Sequence, residues 1–144
     1  PETALAAVLA PLHAAGDDLP AALRAAKRRV GLLVALADLG GVWPLEAVTA
    51  ALTALADRAV NLSVQALVGA EIRRGRLPGQ TAADAATGAG LVVLAMGKMG
   101  AGELNYSSDI DLICLYDDAR YPGAEAEARA AFVRVTRRMA AWLG

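Results

Sequence analysis

Apolar residues along this chain repeat at two different periods, and the change from one to the other divides it. Up to about residue 75 the spacings are three and four, the pattern of helices with one buried face. Leu5, Val8, Leu9 and Leu12 mark a short helix over 3–14. Gly16-Asp17-Asp18-Leu19-Pro20 interrupts it, with aspartates available as caps and a proline tolerated in a first helical turn. A second helix over 21–39 presents Leu23, Val30, Leu33, Val34 and Ala37, and Gly40-Gly41 ends it. A third, from about Pro44 to Arg74, carries Leu45, Val48, Leu52, Leu55, Ala59, Leu62 and Ala66. That long stripe reads as intramolecular helix packing in preference to a partner-binding coil.

The pattern then changes. Residues 75–90 hold four glycines, Pro78 and two threonines, with Leu77 as the one large apolar residue, and read as a linker or surface loop. Beyond it the order is strand (91–95), glycine turn, short helix near 102–104, strand (110–116), turn (117–123) and helix (124–143). The expected architecture is α+β, with a helical module over 1–75, a linker over 76–90 and an α/β module over 91–144.

Composition narrows the chemistry. With 144 residues, 56% of them hydrophobic, the chain can bury a core as one domain or two small ones. A net charge of −1 implies no broad attraction to nucleic acid or anionic lipid. The basic run Arg24, Lys27, Arg28, Arg29 reads as the solvated face of a helix. Cys114 is the only cysteine and His13 the only histidine, so disulfides, cysteine-rich metal sites and Ser-His-Asp chemistry are unsupported. Cys114 lies in an apolar run, where an inert buried thiol is expected. No uninterrupted apolar stretch reaches ~20 residues and no signal peptide is evident, so a cytoplasmic protein without a membrane span is expected. The chain starts at Pro1 and stops at Gly144, straight after a helical pattern, which predicts a piece of something longer.

The densest chemistry lies between Gly97 and Leu112. Asp109 and Asp111 are one residue apart at the start of an apolar run. On a strand, residues i and i+2 share a face, roughly 7 Å apart at their stems by a rise of ~3.3 Å per residue. Two convergent carboxylates repel unless a cation lies between them, and hard oxygen ligands suit Mg²⁺ or Mn²⁺. Beside a glycine-rich turn, such a pair supplies the parts of a nucleotidyl-transfer site. Other phosphate and metal motifs fail. Gly97-Lys98 is followed by Met99, which excludes a P-loop. The glycines run 97, 100, 102, which is not the dinucleotide fingerprint. An EF-hand loop from Asp109 would place apolar Ile113 at a ligand position.

Gly97-Lys98, ten residues, then Asp109-Ile110-Asp111-Leu112 resembles the signature of the polymerase-beta-like nucleotidyltransferases. Lys98 stands where that signature usually has serine, so a point-charge contact to phosphate replaces a hydroxyl one. The resemblance is closer to one family. Gly97-Lys98-Met99-Gly100, Gly102-Glu103-Leu104-Asn105 and Ser107-Ser108-Asp109-Ile110-Asp111-Leu112 look like the bifunctional glutamine synthetase adenylyltransferase/adenylyl-removing enzymes. So does the upstream run from Ala35 to Trp43. Asn105-Tyr106-Ser107-Ser108-Asp109-Ile110-Asp111 resembles the half of those enzymes that removes AMP from a tyrosine of glutamine synthetase, using phosphate and releasing ADP.

That resemblance implies Asp109 and Asp111 as catalytic and metal-holding residues for Mg²⁺ or Mn²⁺. It implies phosphate or nucleotide contacts at Gly97, Lys98, Ser107 and Ser108. For the serines, turn bonding to neighbouring backbone is an equal reading. Implied partners are glutamine synthetase, ADP or ATP, phosphate and nitrogen-signalling regulatory proteins. The family's third carboxylate, from a later strand, has no counterpart after Asp118, so it is expected outside this stretch and the piece alone is expected to be inactive. Two alternatives stay open: the ATP-dependent adenylylating half, and a non-catalytic module that senses nucleotide and docks a partner. Metal titration at the two aspartates separates an enzyme from a docking module.

Overall fold

The computed structural model describes the backbone from Pro1 to Gly144 and the side chains of all residues except His13, Ala14 and Asp17. The readings of His13 as an unpartnered histidine and of Asp17 as a cap therefore concern side chains outside the described residues. The helices are α1 (Glu2–Leu9), α2 (Leu19–Leu39), α3 (Leu45–Arg73), α4 (Gly97–Gly100) and α5 (Glu125–Leu143), and the strands are β1 (Leu91–Ala95) and β2 (Leu112–Tyr116). The class is α+β. The chain folds as two compact units, one of Pro1–Ala59 with Ala95–Asp111, the other of Val60–Leu94 with Leu112–Gly144. This division cuts across α3 and does not follow the composition boundary at 76–90.

The first unit is built on α2 and the first half of α3. Val30, Val34 and Ala37 of α2 meet Trp43, Val48 and Ala51, with Leu5, Val8 and Leu9 of α1 packed against them. These α2 positions are the ones its period selects. The helix stops because Gly41 takes a φ of +64°, open to glycine without strain. The turn then closes back, with the Val42 N–H donating to the Ala37 carbonyl at 2.8 Å. The basic run at Arg24, Lys27, Arg28 and Arg29 is exposed, as read from sequence.

The second unit holds the rest of α3, the sheet and α5. Along α3 the buried line is Val48, Ala51, Thr53, Ala59, Val60, Ser63, Val64, Leu67, Val68 and Glu71. This corrects the expected stripe in part: Val48 and Ala59 lie on the buried line. Leu45 is exposed, and Leu52, Leu55, Leu62 and Ala66 flank the line half-buried. The buried face runs instead through the valines at 48, 60, 64 and 68 and Leu67, with Ala51, Ala59 and Ser63 between them. The sheet has two strands, β1 and β2. Met96 N–H donates to the Asp111 carbonyl at 2.9 Å and Asp117 N–H to the Gly90 carbonyl at 3.1 Å, which sets an antiparallel register. Tyr116 of β2 lies 5.0 Å from the Phe132 ring of α5, and Tyr121 meets that ring edge-on at 5.8 Å.

Residues 76–90 form a structured surface loop. Thr81 and Asp84 make a capping box, and residues 82–90 run as 3-10 turns into β1. Ala89 is fully buried, and its carbonyl accepts the Tyr121 hydroxyl at 2.5 Å. Burial raises the Tyr121 pKa, keeping the phenol a donor. Cys114 is half-buried and unbridged.

Candidate functional site

All the residues singled out from sequence as catalytic or phosphate-binding fall within Ala95–Asp111, in the first unit. The local order differs from the expected one in two places. The short helix is α4, Gly97–Gly100, within the expected glycine turn, and not near 102–104 as expected. Glycine at 97 permits a φ of +55° straight after extended Met96, so the chain enters the helix without delay. Gly102, at φ +77°, then ends the turn. β2 begins at Leu112, so Asp109 and Asp111 lie just before the paired strand. β1 reaches to Ala95, and past it the pairing carries one further bond, from Met96 N–H to the Asp111 carbonyl.

The alternation of the strand in exposure nevertheless runs back through both aspartates. From Asp109 to Tyr116 residues alternate exposed and half-buried, with Asp109, Asp111, Ile113 and Leu115 on the exposed side. The two carboxylates thus share one face, as the i, i+2 spacing requires. Asp111 is anchored through its own carbonyl to Met96. A β-carbon placed on Gly97 would lie 3.8 Å from Asp111 Oδ2, so the glycine turn and this carboxylate are adjacent. Gly100 is packed harder: a β-carbon there would come within 2.4 Å of the Ala95 carbonyl oxygen.

Four N–H groups of the turn are engaged internally. Those of Gly100, Ala101, Gly102 and Glu103 donate to the carbonyls of Met96, Gly97, Met99 and Lys98. The exposed Lys98 ammonium is therefore the side-chain cation of the turn that remains available to a phosphate. Ser107 and Ser108 are organised by Asn105. Its Oδ1 accepts from Ser107 N–H at 3.1 Å, Ser107 Oγ at 3.3 Å and Ser108 Oγ at 2.7 Å. Asn105 N–H in turn donates to Ser108 Oγ at 3.1 Å. In this arrangement both serines bond within the turn and set the backbone that delivers Asp109.

Two fasteners escaped the sequence reading. Leu104 N–H donates to Thr53 Oγ1 of α3 at 3.3 Å, and Thr53 Oγ1 itself donates to the Thr49 carbonyl at 2.9 Å. Tyr106 Oη donates to Asp38 Oδ2 of α2 at 3.1 Å. Partial desolvation, then the Asp38 hydrogen bond and charge, raise the Tyr106 pKa. A threonine set among the apolar positions of α3 was the available signal for the first; no local pattern marks the second.

Asp109 and Asp111 offer carboxylate oxygens, the hard donors that divalent cations take, at exposed positions beside a tight backbone turn. Among the described residues, no group of three or more His, Cys, Asp or Glu is placed to hold a metal ion. No helix among them is long and apolar enough to cross a membrane.

A family model for glutamate-ammonia ligase adenylyltransferase matches residues 2–144. Among curated relatives, the bifunctional glutamine synthetase adenylyltransferase/adenylyl-removing enzyme of Rhodopseudomonas palustris (strain TIE-1) is 51% identical over 124 residues, covering 85% of this chain and 12% of that protein. The enzyme of the same name from Bradyrhizobium diazoefficiens is 48% identical over 147 residues, covering 97% of this chain and 15% of its own length. That of Xanthobacter autotrophicus is 52% identical over 117 residues, covering 81% of this chain and 12% of its own. The chain thus spans 12–15% of the length of these relatives. No solved structure matches it.

Proposed function

Because this chain belongs to the glutamate-ammonia ligase adenylyltransferase family, we propose that it forms part of a cytoplasmic enzyme that removes AMP from adenylylated glutamine synthetase by metal-dependent phosphorolysis. Inorganic phosphate attacks the α-phosphorus of the adenylyl-tyrosine. The bond from phosphorus to the tyrosine oxygen breaks, ADP leaves, and the freed phenolate takes a proton. The observation that carries this reading is the Asp109–Asp111 pair on one exposed face, with Asp111 Oδ2 against the Gly97 turn. The choice of the removing half rests on the resemblance of Asn105–Asp111 to that half.

Asp109 and Asp111 are the residues that would hold Mg²⁺ or Mn²⁺, whose bound charge polarises phosphoryl oxygens. The chain's other contributions are positional. Lys98 offers a point charge to an incoming phosphate, and Gly97 lets the backbone approach without a side chain in the way. Asn105, with Ser107 and Ser108, fixes the turn that sets the direction of Asp109. Nucleotide binding and regulation by nitrogen-signalling proteins follow from the same family reading.

The test uses the full-length enzyme. Asp109→Asn and Asp111→Asn keep side-chain size and remove a charge, so each should weaken Mn²⁺ binding, read by calorimetry, and abolish AMP removal. Adenylylation should persist in both variants. Wild-type AMP removal in either variant would refute the assignment, and loss of adenylylation instead would move it to the other half.

A further inference from the structure

The second unit contains a cleft of about 440 Å³ lined by Glu71, Arg74, Arg76, Arg134, Arg137 and Arg138. Five guanidiniums share it with one carboxylate, an excess of four positive charges, in a chain whose net charge is −1. This concentration is a local property and not a by-product of a basic protein.

The carboxylate organises the arginines. Glu71 is only 3% exposed, in the last turn of α3. Its Oε2 accepts from Arg134 Nε at 3.0 Å and Nη2 at 2.8 Å, a two-donor grip from α5. Its Oε1 lies 3.4 Å from Arg74 Nη1 and 3.5 Å from Arg76 Nη1. Each of these arginines is about half exposed, at 41–49% for the side chain, and engages only part of its five-donor fork on Glu71. Arg137 and Arg138 have no carboxylate partner among the described residues; Arg138 sits 5.7 Å over the Trp142 ring. Like charges this close repel, and one glutamate neutralises one of the five.

We infer that this cleft is a binding site for a polyphosphate chain, free or carried on a small molecule such as a nucleotide. Guanidinium forks match phosphate oxygens two at a time, and the volume lies within the ~300–1,000 Å³ usual for small-molecule sites. Among the described residues no apolar side chain lines it, so recognition falls on the polyanion and not on the group attached to it. A triphosphate chain carries negative charge comparable to the excess in the cleft. The residues involved are separate from the Asp109–Asp111 site, so the inference stands apart from the proposed catalytic role.

Calorimetric titration of the full chain with sodium tripolyphosphate and, separately, with ATP tests it, at near-physiological salt and without divalent ions. Both ligands should bind saturably, with affinities within a few-fold of each other. Arg137→Gln with Arg138→Gln leaves the Glu71 grip intact and should weaken both at least tenfold, with an unchanged circular dichroism spectrum. Arg28→Gln with Arg29→Gln, the same charge change on exposed α2 positions, should leave both unaffected. Absence of saturable tripolyphosphate binding, ATP binding more than tenfold tighter than tripolyphosphate, or equal weakening by the α2 control would each overturn the inference.

Discussion

At the residue scale, two glycines a turn apart face different demands. Gly100 has no room: an added β-carbon would lie 2.4 Å from the Ala95 carbonyl oxygen, a backbone atom that cannot swing aside. Gly97 has room, with the nearest atom at 3.8 Å, but a φ of +55° that L-residues adopt at a cost of about 1–2 kcal/mol. Gly100→Ala should therefore lose about 3 kcal/mol or more by overpacking, and Gly97→Ala about half that. Urea denaturation of both variants checks the order; equal losses would contradict it. Glu71 makes the corresponding electrostatic case. Burial alone would raise its pKa, but the Arg134 hydrogen bond and charge, with Arg76, outweigh burial and hold it below the ordinary 4.5. Its folded value is thus below its unfolded one. The ion pairs contribute fully above the unfolded value, and that contribution is lost as pH falls through the lowered folded one. Melting temperature should drop on acidification from about pH 5 downward, and Glu71→Gln should remove that part of the drop.

At the scale of elements, the loop from Glu103 to Ser108 is held by side chains from helices distant in sequence. Thr53 is the important one, since Leu104 is 4% exposed and its N–H has Thr53 Oγ1 as acceptor. Thr53→Val keeps the shape and strands that amide, at about 1–3 kcal/mol. Under the proposed function, the loosened turn should cut AMP removal by about tenfold or more, since small misplacements of reacting groups are costly. Tyr106→Phe removes an exposed bond to Asp38 and should cost under about 1 kcal/mol. Stability and turnover of the two variants, measured side by side, check the ranking. The helices α2, α3 and α5, strand β1 and the shared face of the two aspartates were legible because each follows a period that one buried face imposes. The start of β2 was not, because pairing stops within a residue of the end of β1, a fact of the partner strand and not of residues 110–111. The buried line of α3 shifted because Val60, Val64, Leu67 and Val68, which face the core, lie off the stripe that the leucines suggest. The arginine cleft was invisible because Glu71 and Arg134 are brought together only by the fold.

At the scale of the whole molecule, the two-stranded sheet is the weakest feature and sets the last expectation. One side packs on α5 through Tyr116 and Phe132. The other leaves Val92, Leu94, Ile113 and Leu115 at 53%, 44%, 43% and 55% exposure. Two strands make a marginal sheet in water, and open edges invite association. The 144-residue chain should accordingly unfold cooperatively in its helical signal and self-associate with rising concentration, as circular dichroism and sedimentation would show. Its catalytic competence is a separate matter. Asp109 and Asp111 are two of the three carboxylates that the family resemblance implies, and no described cluster supplies a third. Charge developing on the transferring phosphoryl group would then be poorly neutralised, and that electrostatic contribution is ordinarily the largest single part of such catalysis. Incubated alone with adenylylated glutamine synthetase, phosphate and Mg²⁺, the chain should release no ADP above background. Robust ADP release would mean that two carboxylates suffice, and that the charge is met by groups this chain already holds, Lys98 foremost among them.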